Sequence, residues 1–232
     1  RVRSSAASDV YKRQQYAHPV FKRSITAWKT HFMRKIYYVK FTGTGRSKTI
    51  SRRKSTDFGS YKEYDMTNHF FNPSLAGGAL LDIGVYALSF VRWFMSSAPD
   101  QIVSQVKMAP SGVDEQAGIL LMNPSGEMAT IALTLHAKQP KRGTLAFDKG
   151  YIEIYEYPRA EKAVITYTED QHREIISTGQ TKHALRYEVL DMEKAVSGQK
   201  NEMHLDYTTD VMSMMTEIRK SWGLFYPEEQ EK

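Results

Sequence analysis

The most informative segment of this 232-residue chain reads Asn72-Pro73-Ser74-Leu75-Ala76-Gly77-Gly78-Ala79-Leu80-Leu81-Asp82-Ile83-Gly84-Val85-Tyr86-Ala87-Leu88-Ser89-Phe90. Two glycines open an apolar run in which Asp82 and Tyr86 are the only groups able to exchange a proton. The run predicts a helix from Gly77 to about Met95, and side chains four residues apart share one face of a helix. A carboxyl and a phenol side by side on an apolar helix indicate a site rather than a solvated surface.

The pair suits proton exchange with a substrate. A phenol, whose ordinary pKa is about 10, can donate a proton to a carbonyl oxygen or accept one from an alcohol. A neighbouring carboxylate raises that pKa, so base chemistry would also require a cation nearby. The residues alone leave a second interpretation open, in which Tyr86 is a buried ring with a satisfied hydroxyl and Asp82 is a helix-terminal partner.

Charge is unevenly distributed along the chain. Residues 1–54 contain 15 Lys or Arg and one acid, a net charge of +14, whereas residues 55–232 contain 17 basic and 25 acidic residues, a net charge of −8. The basic segment offers an alternative function, a module that binds nucleic acid or an anionic surface. It matches no recognisable nucleic-acid fold, so we do not expect nucleic acid as a partner.

Composition excludes several kinds of chemistry. The chain has no cysteine, so disulfides and thiolate catalysis are ruled out. Seven scattered histidines without ligand spacing predict no metal site. The longest apolar stretch, residues 77–97, is interrupted by Asp82 and Arg92, and the first residues lack the apolar core of a signal peptide. We therefore expect no membrane partner and take a cytoplasmic location as the default.

Three segments are predicted along the chain. Residues 1–14 show no periodicity and resemble a translated adapter tail, which we interpret as non-native. Residues 15–67 are basic and poorly defined, with one weak helix and one strand at Ile36–Phe41. Residues 68–232 are predicted to form the main domain.

The pattern of the main domain predicts an α+β fold. After the first helix come strands joined mostly by short turns, and then two helices. This segregation is typical of a large, mostly antiparallel open sheet with helices packed on one face. The predicted strands are residues 102–108, 113–123, 127–137, 143–147, 151–157, 163–168 and 172–177, and the predicted helices are residues 182–196 and 206–222.

The segment Gly77–Tyr86 resembles the signature of the Gfo/Idh/MocA oxidoreductase family, and within it the dimeric dihydrodiol dehydrogenase-like branch. The resemblance covers about residues 68–228, and Ile36–Phe41 shows a weaker match. Four further segments resemble family landmarks: Gly112-Val113-Asp114, the hairpin Phe147–Glu153, Tyr187-Glu188 and the helix end Ile218–Gly223.

The resemblance implies the C-terminal, substrate-binding and dimerising part of a dehydrogenase that uses NAD or NADP. Such an enzyme transfers hydride between nicotinamide and a sugar-like, diol or carbonyl substrate. The family pattern makes Tyr86 the acid/base and Asp82 its orienting neighbour. Asn72, Gly78 and His183 are the candidates for substrate binding. The alternative to an enzyme is a non-catalytic interaction domain.

The resemblance also implies a missing cofactor domain. Family members carry an N-terminal Rossmann domain with a Gly-rich phosphate loop and a Glu-Lys-Pro segment, neither of which occurs in this sequence. The segment Gly43-Thr44-Gly45-Arg46-Ser47-Lys48 has only the first two glycines of the dinucleotide fingerprint, so we reject it. We expect this fragment alone to bind NAD(P) poorly and to be inactive. In the family the open sheet face commonly forms the subunit interface, so we expect a homodimer.

Overall fold

An eight-stranded sheet organises the part of the chain that the structure describes. The computed structural model describes the backbone of residues 36–44, and residues 64, 66–67, 69–136, 140–199 and 204–230. The spatial order of the strands is β2-β3-β4-β1-β5-β6-β7-β8. Their bounds are β1 Ile36–Thr44, β2 Gln101–Met108, β3 Asp114–Met122, β4 Met128–Thr134, β5 Arg142–Phe147, β6 Gly150–Tyr155, β7 Lys162–Tyr167 and β8 Arg173–Ser177.

The first strand lies in the middle of the sheet. β1 runs parallel to β4, with Val39 opposite Ala129, and antiparallel to β5, with Val39 opposite Leu145. The other strand pairs are antiparallel, so the predicted mostly antiparallel sheet is confirmed. β1 comes from residues 15–67, so a domain that starts at residue 68 omits one strand of this sheet. A parallel pair needs a long crossover connection, which local sequence patterns do not reveal.

One face of the sheet carries the helices, as predicted. α1 spans Val85–Phe94 and follows a π-helical turn at Leu80–Gly84. α2 spans Ala184–Val196, α3 spans Leu205–Ser221 and α4 spans Pro227–Gln230. α1 packs between the sheet and α3. Along β3 the residues Ala117, Ile119 and Leu121 are buried, whereas Gly118 and Leu120 are exposed on the other face.

The central helix begins three residues later than predicted. Gly78 has φ of +122°, which is incompatible with a right-handed helix, so Gly77 and Gly78 form a turn and the helical segment starts at Leu80. Its first turn is π-helical, a feature frequent at functional sites. The weak helix predicted within residues 15–35 and the adapter-like tail lie outside the described residues.

The segment Pro73–Phe94 is a core element. By length and composition alone it could cross a membrane, but 67% of its most apolar window is buried inside the fold. Leu80, Leu88 and Phe90 are fully buried. Gly143 on β5 accommodates Phe90, because a Cβ at that glycine would overlap the Phe90 ring. The apolar face of the segment is therefore covered by the sheet.

Candidate active site

A glycine turn brings the start of the helical segment against β3. The Gly77 N–H donates to Asn72 O at 3.0 Å, and the Gly78 N–H donates to Phe70 O at 2.9 Å. A Cβ on Gly78 would overlap Oδ1 of Asp114. Glycine is therefore required at position 78 by both its positive φ and this close approach.

Asp114 meets the first residue of the helical segment. Its carboxyl is fully buried, and Oδ2 accepts the Leu80 N–H at 2.6 Å. Oδ1 has no hydrogen-bond partner among the described residues. Burial raises the pKa of Asp114 to about 7, against the opposing effect of nearby backbone N–H groups, Leu80 first.

Asp82 lies in the π-helical turn at the border between core and solvent. Its side chain is 36% exposed, and Oδ1 lies 3.8 Å from Nε2 of His69, whose side chain is 61% exposed. Burial raises the pKa of Asp82, and His69 partly opposes that rise. His69 comes from a short 3-10 helix, His69–Phe71, and its ring packs on Phe70 with centroids 4.1 Å apart.

Tyr86 stands in the first turn of α1, half-buried against the core. Near it lies Tyr157, which is almost fully buried and packs edge-on to Phe90. Burial raises the pKa of Tyr157, and the proximity of Tyr86 raises it further. The helical segment thus carries both predicted proton-exchanging groups, with a second phenol near Tyr86.

A β-bulge at the start of β3 buries a second carboxyl beside Asp114. Asp114 pairs with Met108 and Gln116 pairs with Lys107, so Glu115 is the extra residue. The Glu115 side chain is fully buried, with Lys107 Nζ at 2.6 Å from Oε1, and with His136 Nε2 and the Tyr64 hydroxyl each at 2.8 Å from Oε2. Burial would raise the pKa of Glu115, but these three hydrogen-bonding partners together lower it.

The remaining predicted site residues have structural contacts of their own. Asn72 Oδ1 accepts the Ser74 N–H at 2.9 Å and Nδ2 donates to Met66 O at 2.9 Å, so this amide organises the turn. His183 ends a 3-10 helix before α2 and packs edge-on to Tyr187 at 6.5 Å. The structure places Asn72 and Gly78 in the turn before Asp82, whereas His183 belongs to a separate element. Their roles in substrate binding stay predictions.

Two positions that could suggest a phosphate site are engaged in other contacts. The Leu80 N–H at the start of the helical segment already donates to the Asp114 carboxyl, so it is not available to a phosphate. Gly43 and Thr44 are strand residues of β1, opposite Leu133 and Thr134. Within the described ranges, no group of three or more His, Asp or Glu could hold a metal ion.

Comparison with known proteins finds a family model that matches the central part of the chain. Residues 51–153 match the family model described as the GFO/IDH/MocA C-terminal domain. The resemblance to the Gfo/Idh/MocA oxidoreductases is confirmed. The matched range includes the glycine turn, the helical segment with Asp82 and Tyr86, and both buried carboxyls of β3.

Curated relatives agree with this resemblance. A trans-1,2-dihydrobenzene-1,2-diol dehydrogenase of Xenopus laevis is 26% identical over 162 residues, which is 66% of this chain and 49% of the relative. The scyllo-inositol 2-dehydrogenase (NADP(+)) of Bacillus subtilis is 28% identical over 197 residues, which is 81% of this chain and 57% of the relative. The chain spans about half the length of these relatives.

Solved structures confirm the α+β fold. A mutant of a 3-ketoreductase from Actinomadura kijaniata, in complex with TDP-benzene and NADP, superposes with a TM-score of 0.71 at 13% identity. The superposition covers 90% of this chain and 60% of the ketoreductase.

Sequence reasoning missed three of the groups around the helical segment, namely His69, Tyr157 and the contact of Asp114 with Leu80. The motif Gly112-Val113-Asp114 resembles a family landmark, but no local pattern pairs Asp114 with Leu80. No spacing rule connects His69 or Tyr157 to Asp82 or Tyr86, because the fold rather than the local sequence brings them together.

Proposed function

We propose that this chain is the substrate-binding part of an NAD(P)-dependent oxidoreductase that acts on a sugar-like, diol or carbonyl substrate. The observation that carries the proposal is the joint presence of Asp82 and Tyr86 on one helical segment, at the border between core and solvent, inside the family match. The names of the two relatives, a dihydrodiol dehydrogenase and a scyllo-inositol dehydrogenase that uses NADP(+), support the substrate class and the cofactor.

The chain's own residues would handle the proton. Tyr86 would accept the proton of a substrate hydroxyl during oxidation, or return it to a carbonyl oxygen during reduction. Asp82 would orient the substrate through its partly exposed carboxyl, with His69 beside it. We assign no described residue to the cofactor, since the Leu80 N–H next to Asp114 is already engaged.

Turnover by the full-length protein tests the role of Tyr86. We expect NADP-dependent oxidation of scyllo-inositol or of a trans-dihydrodiol, and a loss of about 10²–10⁴-fold in kcat in Tyr86→Phe, since this is the usual contribution of general acid–base catalysis. Cofactor affinity should be unchanged. Tyr151→Phe, a half-buried phenol on β6, is the matched control. Near-normal kcat in Tyr86→Phe would refute the assignment.

Titration with NADPH tests whether this 232-residue chain binds the cofactor by itself. We expect no detectable binding of NADPH at micromolar concentration, because the Leu80 N–H is already bound to a carboxyl. Fluorescence titration of the isolated chain measures this directly. Saturation in the micromolar range would show that the cofactor site lies within the chain.

We also propose that the open face of the sheet forms a homodimer interface. Apolar side chains lie exposed across this face, including Val103 on β2, Leu120 on β3 and Ile175 on β8, which are 68%, 37% and 59% exposed. Val103 and Leu120 lie opposite each other on neighbouring strands, and an exposed apolar cluster of this kind favours a partner. Sedimentation of the protein should give a dimer that Val103→Asp dissociates and Val196→Asp, on exposed α2, does not. A monomeric mass at micromolar concentration would contradict the interface.

The alternative of a nucleic-acid-binding module rests on residues 1–54. Apart from the backbone of β1, these residues lie outside the described ranges, so this hypothesis stays a prediction. Salt-dependent DNA binding that survives removal of residues 1–14 would support it.

A further inference from the structure

We propose that Asp114 is a positioning residue for the candidate active site. Its buried carboxyl holds the start of the helical segment that carries Asp82 and Tyr86, and so fixes where those two side chains stand. The inference rests on the proposed function, because the segment matters for catalysis only if Asp82 and Tyr86 act on a substrate.

The contact lies where it controls the whole segment. Oδ2 of Asp114 accepts the N–H of Leu80, the first residue of the π-helical turn, at 2.6 Å. Leu80 is itself fully buried, so both its backbone and its side chain are held. Asp82 follows two residues later, and its N–H donates to Gly78 O at 3.3 Å. A shift at Leu80 would therefore move Asp82 directly.

The glycine turn is shaped around this carboxyl. Gly78 has φ of +122° and leaves no room for a Cβ against Asp114 Oδ1. The close approach brings the backbone of the turn down onto β3. The contact therefore needs both the Asp114 carboxyl and a residue without a side chain at position 78.

The C-terminal residues hold the other side of the same turn. The Tyr226 hydroxyl donates to Gly77 O at 2.7 Å. Arg219 donates to both carboxyl oxygens of Glu229 at 2.6 Å each, and Glu229 in turn accepts the Tyr226 N–H at 3.0 Å. The turn is therefore fixed from β3 and from the C-terminal segment, which leaves little freedom at the start of the helical segment.

A carboxyl is a costly choice at this position. Asp114 is fully buried, and the nearby Arg219 makes its charged hydrogen bonds with Glu229 instead. A buried acid without a paired cation lowers stability once it ionises, which agrees with its raised pKa. Groups that cost stability are typical of functional positions rather than of structural ones.

The decisive experiment compares Asp114→Ala, Asp114→Asn and Ile165→Val in the full-length protein. Ile165 is a fully buried residue of β7, so its truncation lowers stability without touching the segment. We expect kcat to fall at least tenfold in Asp114→Ala, since a small misplacement of reacting groups costs up to about 10²-fold. Asp114→Asn keeps an acceptor for the Leu80 N–H and should retain kcat within about threefold of the wild type.

A readout that needs no activity is the hydrogen exchange of the Leu80 amide, which should be at least about tenfold faster in Asp114→Ala and nearly unchanged in the other two variants. Unchanged Leu80 exchange in Asp114→Ala would overturn the inference. So would wild-type kcat in Asp114→Ala, or an equal loss of kcat in Ile165→Val. If the wild-type protein shows no turnover, the proposed function fails, and the exchange measurement alone then decides whether Asp114 holds the segment.

Discussion

Asp114 and Glu115 are adjacent, and both carboxyls are fully buried, yet their pKa values move in opposite directions. Glu115 contacts Lys107, His136 and Tyr64, which favour its ionised form. Asp114 accepts one backbone N–H and has an oxygen without a partner among the described residues. Burial is common to both, so the partners decide which charge state the fold favours.

The two carboxyls also connect different parts of the molecule. Of the Glu115 partners, Lys107 lies on β2, His136 lies just beyond β4 and Tyr64 precedes the 3-10 helix His69–Phe71. The rings of Tyr64, Phe71 and His136 pack together beside Glu115. Asp114 instead contacts the backbone of the helical segment. Glu115 therefore stabilises the end of the sheet, whereas Asp114 places the candidate active site against that sheet.

The largest effect should come from a side chain at position 78 that overlaps the Asp114 carboxyl. We expect Gly78→Ala to lower the free energy of unfolding by about 3 kcal/mol, because it combines a strained φ with overlap of the carboxyl. Gly118→Ala is the matched control, since a Cβ there meets nothing within 4 Å. Urea denaturation of both variants measures the difference. A Gly78→Ala protein as stable as Gly118→Ala would show that Asp114 does not exclude a side chain at position 78.

The next effect tests the partners of Glu115. Glu115→Gln should cost about 2–3 kcal/mol, somewhat below the usual loss for a broken buried pair because Lys107 is 65% exposed and can reach water. Glu153→Gln, which breaks the more exposed pair with Arg142, should cost about 1 kcal/mol or less. Urea denaturation measures both losses. Equal losses would show that the partners of Glu115 stabilise the fold no more than the exposed pair does.

The two carboxyls should change the stability of the protein with pH in opposite directions. The folded pKa of Asp114 is raised to about 7, so the native state holds an extra proton and its stability falls as pH rises from about 4 to about 7. Asp114→Asn removes that loss and should gain about 2–3 kcal/mol relative to wild type between pH 5 and pH 8. Urea denaturation at the two pH values checks this.

Glu115 should behave in the opposite way. Its pKa is lowered, so its contribution to stability is present above the unfolded pKa and is lost as pH falls through the folded pKa. The deficit of Glu115→Gln should therefore shrink in acid. For Asp114, the groups that face the carboxyl include Arg219 and Tyr226, and burial raises the pKa of Tyr226 above its ordinary value of about 10. A flat difference between Asp114→Asn and wild type would contradict the raised pKa.

The smallest effect concerns the far side of the glycine turn. Tyr226→Phe loses the hydrogen bond to Gly77 O and should cost about 1 kcal/mol, the usual net value of one such bond. Tyr155→Phe, on a 42% exposed ring of β6, should change stability by less than about 0.5 kcal/mol. Thermal unfolding of both variants would show whether the C-terminal segment contributes to the turn at all.

Local sequence patterns predicted most of the fold. Alternation along β3, where Ile119 and Leu121 are buried and Leu120 is exposed, follows directly from the strand period of two. The turn at Asn123–Gly126 and the apolar stripe of α3 are equally local signals. Residues that share one helix, such as Asp82 and Tyr86, could be recognised for the same reason.

Contacts between distant segments could not be predicted in this way. The Leu80 N–H meets Asp114 across 34 residues, and the contact depends on the register of β3 and on the bulge at Glu115. His69 meets Asp82 only because the glycine turn folds back on itself. Such contacts depend on tertiary packing, and no spacing rule describes them.

The central position of β1 has a practical consequence for producing this protein. A truncated protein that starts at residue 51 or 68 would lack the strand that joins β4 to β5. The sheet would then divide into the group β2-β3-β4 and the group β5-β6-β7-β8, each with a new unpaired edge. Unpaired strand edges recruit other chains, so such a truncation should yield insoluble aggregates rather than a smaller domain.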